Sequence, residues 1–223
     1  AVPKGEVVAV LGANGAGKST LLHTISGLLR PKGGSVVYRG LDITRLGPDK
    51  IAARGVCQVP EGRRLFRDLS VEDNLVVGSS ASKDWRGTLK DDIAYVYELS
   101  PVLGERRKQP AGTLSGGEQQ MMAIGSALMS DPRLLLLDEI AAGFSPAAVK
   151  RLAAGLRNMR DQGLTLLLTD HLLTLLEAVA DRLLALDRGE IIAQGPPAFL
   201  IRHPEVVSAY LGTRCGSDTE GDA

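Results

Sequence analysis

Apolar residues along this chain fall into two kinds of run. Val7–Leu11 and residues 134–137 and 164–169 are short, nearly unbroken and built from Val and Leu, with polar or glycine residues at their ends. Runs of that length and composition predict strands covered on both faces, as in a parallel sheet. Over residues 19–29, 115–129, 146–161 and 172–180 the apolar positions recur every three or four residues, which predicts helices. Weaker signals predict short strands at 35–38, closed by Arg39-Gly40, and at 55–59, with a loop at 42–44 and a short helix at 49–54. Residues 182–195 read as a hairpin turning at Asp187-Arg188-Gly189, and 196–211 as a closing pair of helices.

Alternation of strand and helix is the signature of an α/β fold with a parallel sheet. One stretch departs from it. Ser70 offers an N-cap hydroxyl ahead of Glu72 and Asp73, and from there to Gly112 the chain is helical in pattern, more charged, and holds the sole tryptophan, Trp85. The expected organisation is a core first part at 1–69, an inserted α-helical subdomain at 70–112, a core second part at 113–195, C-terminal helices at 196–214 and a disordered polar tail at 215–223.

Candidate chemistry begins where the first strand ends. Gly12-Ala13-Asn14-Gly15-Ala16-Gly17-Lys18-Ser19-Thr20 fits Gly-x-x-x-x-Gly-Lys-Ser/Thr between a strand and a helix. A triphosphate is bound largely by backbone N–H groups, and only a chain without obstructing Cβ atoms can turn them inward. The helix start adds unpaired amides and the positive dipole end. Lys18 is then suited to reach the β and γ phosphates, and the Ser19 hydroxyl to bind Mg²⁺. A turn that merely joined strand to helix would need neither side chain.

Two further stretches gain meaning beside the first. The strand at 134–137 ends in Asp138-Glu139, and ligands of parallel sheets bind beyond the carboxyl ends of the strands. Asp138 is suited to hold Mg²⁺ and Glu139 to orient and deprotonate an attacking water. In Leu114-Ser115-Gly116-Gly117-Glu118, Ser115 and Glu118 make a helix capping box. Capping leaves the two glycines unexplained, each costing about 1 kcal/mol relative to Ala in a helix. Bare backbone at a helix start suits a second anion site, so two phosphate-binding helix ends, far apart in sequence, would grip one nucleotide if the second came from another subunit.

Composition narrows the function classes. At 223 residues the chain can bury a full core, and 26 basic residues balance 26 acidic ones. No global field favours nucleic acid, and none of the apolar runs approaches the ~20 residues needed to span a bilayer. Cys57 and Cys215 have no partner at metal-ligand or redox spacing, which suits a reducing cytosol, and residues 1–6 lack the layout of a secretion signal.

In order and spacing, Gly12 to Thr20, Leu114-Ser115-Gly116-Gly117-Glu118-Gln119-Gln120, Leu134 to Glu139 and His171 resemble an ATP-binding cassette (ABC) transporter ATPase over essentially the whole chain. Val59 to Phe66, Leu69 to Leu75, Met121 to Gly125 and His203 to Gly212 are similar to the ATPase subunits of branched-chain amino-acid importers, with urea and short-amide importers as close relatives. Soluble ABC ATPases of repair or translation are a more distant alternative. The resemblance implies a RecA-like P-loop NTPase core with ATP and Mg²⁺ as cofactors, and two cassettes closing head to tail, as a homodimer or with a related ATPase. Leu114, Ser115, Gly116, Gly117 and Glu118 of one subunit would meet the ATP held by the other, and His171 would contact its γ-phosphate. Glu61 stands at the position of the glutamine that senses Mg²⁺. Transmembrane permease subunits would dock near Glu61 to Phe66 and the helical lobe, a solute-binding protein would act through them, and the subunit would lie peripherally at the cytoplasmic face of the inner membrane.

Some positions differ from the family pattern. Ile140 replaces the proline that usually follows the acidic pair, Ser145 an aspartate and Ser126 an arginine; none of these removes a phosphate or metal contact, but Ile140 and Ser126 make the frame around the site less rigid in expectation. Gly5-Glu6 already abuts the first core strand, where relatives carry a further segment with an aromatic that stacks on adenine. Tyr38 does not match that aromatic. The expectation is either a shortened start or loosely held adenine, with weak ATP binding that keeps the Mg²⁺-dependent phosphate contacts.

Overall fold

The computed structural model describes residues 1–62, 64–81 and 85–211, so the expectations for Arg63, Gly212, Cys215 and the tail lie outside the described residues. In chain order the elements are β1 Val7–Leu11, α1 Lys18–Ile25, β2 Val37–Tyr38, β3 Leu41–Asp42, α2 Pro48–Ala52, β4 Val56–Val59, α3 Val71–Gly78, α4 Trp85–Leu99, α5 Pro101–Glu105, α6 Gly116–Leu128, β5 Leu134–Asp138, α7 Pro146–Asp161, β6 Thr165–Thr169, α8 Leu173–Val179, β7 Arg182–Asp187, β8 Glu190–Gly195, α9 Pro197–Leu200 and α10 Pro204–Leu211.

Six strands form one sheet in the order β4-β5-β6-β1-β7-β8. Strands β4 to β7 of that order are parallel, and β8 turns back antiparallel on β7. Leu135 and Leu137 of β5 enter the core on one face, with α6 and α7, while Leu134 and Leu136 enter the other with Leu22 of α1 and Ile51 of α2. Burial of each such leucine stabilises by about 1.5–3 kcal/mol. A one-residue slip of β5 would exchange the faces of every side chain, so this packing fixes where Asp138 and Glu139 emerge. Asp138 pairs in register with Thr169, at the same sheet edge that delivers Gly12 after β1.

The lobe core consists of Val71, Leu75, Val96, Leu103, Leu114, Met122 and Met129. Met122 and Met129 belong to or end α6, whose Ala123, Ile124 and Ala127 face the sheet core instead. Helix α6 is therefore the shared wall between lobe and sheet. Its amino terminus at Ser115 moves only with that wall.

Two local readings need correction. The helical period over 19–29 is broken at Ile25: Ser26 caps α1 and Gly27 takes φ +77°, leaving Leu28 and Leu29 exposed rather than on a helix face. Asp42, read as loop, forms with Leu41 a strand paired with Val37–Tyr38 around Arg39-Gly40, both at positive φ. With both central residues in the left-handed φ region the two-residue turn is of the type I′ kind, although arginine is a poor advertisement for it.

Candidate active site

The loop after β1 lies hard against β7. A Cβ at Gly12 would stand 2.4 Å from the Leu186 carbonyl oxygen, so glycine there is demanded by close approach. Gly15 and Gly17 have open or nearly open surroundings but φ of +81° and +106°, so at those positions the backbone shape is what requires glycine. The loop is closed by the Ala16 amide donating to the Ala13 carbonyl (3.1 Å) and the Gly189 amide to the Ala16 carbonyl (2.8 Å). Asn14, Gly15 and Thr20 face solvent.

Helix α1 starts at Lys18 with Gly17 as N-cap, no capping side chain and no acid in its first turn. Its first amides and dipole end are thus uncompensated, the condition for an anion site. Lys18 is 4% exposed, and its Nζ donates to the Gly12 (2.9 Å) and Ala13 (3.2 Å) carbonyls. Among the described residues its ion-pair partner is Glu139, at 3.8 Å. A buried ammonium with neutral oxygens as its main partners is favourably placed to receive phosphate oxygens.

Opposite the cradle, Asp138 is 2% exposed, and its Oδ1 accepts from Thr169 Oγ1 (2.6 Å) and Ser19 Oγ (3.2 Å). This brings two of the three predicted Mg²⁺ residues, Ser19 and Asp138, together. A hydroxyl beside a carboxylate is the hard oxygen set that Mg²⁺ takes along with phosphate oxygens and water, so the residues fit the ion. Glu61 is exposed in the turn after β4 and takes part in none of these contacts among the described residues.

Glu139 itself holds φ +48°, an uncommon conformation for a side-chain-bearing residue, with its amide bonded to the Thr169 carbonyl (2.9 Å). The kink turns its carboxylate off the strand line and toward His171, whose Nε2 is 2.8 Å from Oε1. Lys18, Glu139 and His171 therefore form one chain of contacts. Such strain at a reactive centre costs on the order of 1–3 kcal/mol and persists where the surroundings over-determine it.

Sequence reasoning missed Asp170, which is 3% exposed. Its Oδ2 accepts the Ala141 amide and its Oδ1 the Leu172 amide, both at 2.9 Å. Burial pushes its carboxyl above the ordinary value, against the pull of those amides. Ile140, between Glu139 and Ala141, is 1% exposed within the core. Burial and the Asp170 bond thus hold the segment where a proline was expected, and Ser145 caps α7 by accepting from the Ala148 amide.

At α6 the capping box is complete: Ser115 Oγ accepts the Glu118 amide (3.4 Å), and Glu118 Oε2 accepts the Ser115 amide (2.8 Å) and Arg106 (3.2 Å). Glu118 is engaged within the chain, and the Leu114 side chain belongs to the lobe core. At Gly117 an added Cβ would come no nearer than 3.9 Å to the Phe144 ring, so nothing inside the chain requires glycine there. Among the described residues, no hydrogen bond or ion pair joins 114–118 to 12–20.

An uncapped helix end closed over a buried lysine, with a kinked carboxylate facing it from the end of β5, two strands away in the sheet, defines a nucleoside triphosphatase of the P-loop class. Comparison with known proteins narrows this. A family profile described as "ABC transporter" matches residues 1–142, and one described as "Branched-chain amino acid ATP-binding cassette transporter" matches 190–215. The high-affinity branched-chain amino acid transport ATP-binding protein BraG of Pseudomonas aeruginosa is 43% identical over 215 residues, covering 95% of this chain and 90% of that one. The lipopolysaccharide export system ATP-binding protein LptB of Escherichia coli is 33% identical over 211 residues, with 95% and 88% covered. A nucleotide-free ATP-binding cassette from an ABC transporter superposes with TM-score 0.83 at 26% identity, covering 93% of this chain and 88% of its own. The ADP conformation of another such cassette gives 0.82 at 27%, with 95% and 89% covered. The chain belongs to the ABC transporter family and is an ATPase. No helix among the described residues is long and apolar enough to cross a membrane.

Proposed function

We propose that this chain is the ATP-hydrolysing subunit of an importer for branched-chain amino acids, working as a pair of cassettes docked on transmembrane permease subunits at the cytoplasmic face of the inner membrane, with a solute-binding protein outside. The solute reading rests on the 43% identity to the Pseudomonas branched-chain protein and on the match at 190–215. Phe66, 56% exposed beside the turn at 61–62, and Val77 on the lobe offer apolar surface for the permease. A close relationship to lipopolysaccharide export at 33% identity makes the direction of transport the alternative outcome of the test.

The single observation that carries hydrolysis is the chain of contacts Lys18–Glu139–His171 at the mouth of the cradle. Lys18 and the amides of α1 hold the phosphates. Glu139 orients the attacking water and accepts its proton, and His171 holds the Glu139 carboxylate and donates toward the terminal phosphoryl. Ser19 and Asp138 would hold Mg²⁺, which would supply neutralisation of the phosphate charge. Ser115, Gly116 and Gly117 of a second copy complete the shell, which makes turnover conditional on pairing.

The test is the full chain reconstituted with its permease subunits and solute-binding protein in liposomes. Leucine, isoleucine or valine should stimulate ATP hydrolysis and accumulate on the side of the ATPase, and Glu139→Gln should abolish both while retaining ATP binding. Stimulation by urea or short amides alone, or movement of a lipid outward, would overturn the assigned solute. Hydrolysis undiminished in Glu139→Gln would overturn the assigned mechanism.

A further inference from the structure

His171 has to present Nε2 to Glu139, yet little near it in sequence fixes its backbone. Helix α8 begins immediately after it with Leu172 as N-cap and no capping side chain. The imidazole is more than a third exposed. What orients it comes from two side chains that grip a single peptide group. The carbonyl of His171 accepts from Tyr210 Oη at 3.0 Å, and the amide of Leu172, the other end of the same peptide plane, donates to Asp170 Oδ1 at 2.9 Å.

Fixing both ends of that plane restrains ψ of His171 and so the Cα from which its side chain reaches Glu139. The second oxygen of Asp170 takes the Ala141 amide, two residues beyond Glu139. One carboxylate thus sets the separation between the segment carrying Glu139 and the segment carrying His171. Tyr210 sits on α10, which is seated in the sheet core through Val206, and it lies within the region 190–215 matched by the branched-chain profile.

We infer that Asp170 and Tyr210 are positioning residues for His171, through which the C-terminal helix α10 controls the reactivity of the site. The inference rests on the role proposed above for His171. It predicts that order in α10 is transmitted to hydrolysis through one phenolic O–H.

Tyr210→Phe removes that O–H and leaves the ring, and Asp170→Asn replaces one accepting oxygen with a donor that faces a backbone N–H. Loss of one neutral hydrogen bond corresponds to about a fivefold effect. In steady-state hydrolysis by the full chain, each variant should lower kcat about fivefold or more while leaving KM for ATP within about twofold. The decisive readout is a double-mutant cycle: introduced into His171→Ala, neither substitution should slow hydrolysis further. Equal loss in the parent and in His171→Ala would mark a merely structural tie and overturn the inference. Should His171→Ala be slow while Tyr210→Phe and Asp170→Asn match the parent, this inference alone fails. Full activity in His171→Ala would instead overturn the role proposed for His171, and this inference with it.

Discussion

Adding one methyl group at Gly12 should damage both stability and nucleotide binding, whereas the same addition at Gly155 should stabilise. At Gly12 the new Cβ would stand 2.4 Å from the Leu186 carbonyl oxygen and 3.1 Å from Ala16 Cβ. The nearer atom is backbone in β7, held by ladders to β1 and β8, and cannot swing aside as a side-chain tip would. The end of β1 has to move by on the order of 1 Å, and overpacking of that kind costs about 1–3 kcal/mol. For a chain of this size each kcal/mol is worth about 2–4 °C of Tm. Gly12→Ala should therefore melt about 2–12 °C below the parent. Because the Gly12 and Ala13 carbonyls position Lys18, ATP affinity should fall about tenfold or more. Gly155 lies inside α7 with nothing within 4 Å of an added Cβ, so Gly155→Ala should gain about 0.5–1 kcal/mol from helix propensity. Scanning calorimetry of both variants with ATP titration is the assay. Gly12→Ala melting at or above the parental temperature with undiminished ATP affinity would refute the close-approach argument.

Three other outcomes follow from the packing. A Cβ added at Gly125 would stand 2.7 Å from Val96 Cγ1 and 3.3 Å from Leu75 Cδ2, so Gly125→Ala should loosen the lobe; limited proteolysis should cut within 70–112 faster than in the parent, and equal rates would contradict it. Burial pushes the Cys57 thiol above its ordinary value, so peptide-level mass spectrometry should find it alkylated at pH 8 far more slowly in the folded than in the urea-unfolded chain. Asp170 has its carboxyl raised by burial, and a group whose folded value exceeds its unfolded one gives stability that is complete below about pH 4 and is lost as pH rises through the folded value. The Tm of Asp170→Asn relative to the parent should therefore improve between acid and neutral pH, and a relative decline would contradict that sign.

What the sequence disclosed and what it hid have physical causes. The strand-loop-helix around Gly12 to Thr20, the all-leucine strand ending in Asp138-Glu139 and the Ser115/Glu118 box are local patterns, each resting on residues a few positions apart, and a reader of the chain can find them. The pairing of Leu41–Asp42 with Val37–Tyr38 was hidden because two-residue strands have no period and Arg39 is not a usual turn residue. Leu28 and Leu29 extended the α1 period, but Gly27 in the left-handed region ended the helix before them. The long-range ties of Asp170 and Tyr210 could not be seen, because the Ala141 amide and the His171 carbonyl lie 29 and 39 positions away, although Tyr210 falls within the stretch His203 to Gly212. The same holds for the Ser19–Asp138 bond, whose members were each assigned to Mg²⁺ but whose meeting across 119 residues depends on the order of strands in the sheet.

The central claim is that one chain is catalytically incomplete and that Ser115, Gly116 and Gly117 of a second copy finish the phosphate site. Aspartate caps a helix as well as serine does, so Ser115→Asp should keep α6 intact while setting a carboxylate against the triphosphate. The measurement is light scattering after size exclusion on the hydrolysis-blocked chain Glu139→Gln with ATP and Mg²⁺, with and without Ser115→Asp. The account predicts an ATP-dependent dimer for the first and only monomer for the second. A dimer of equal ATP dependence in both would contradict it.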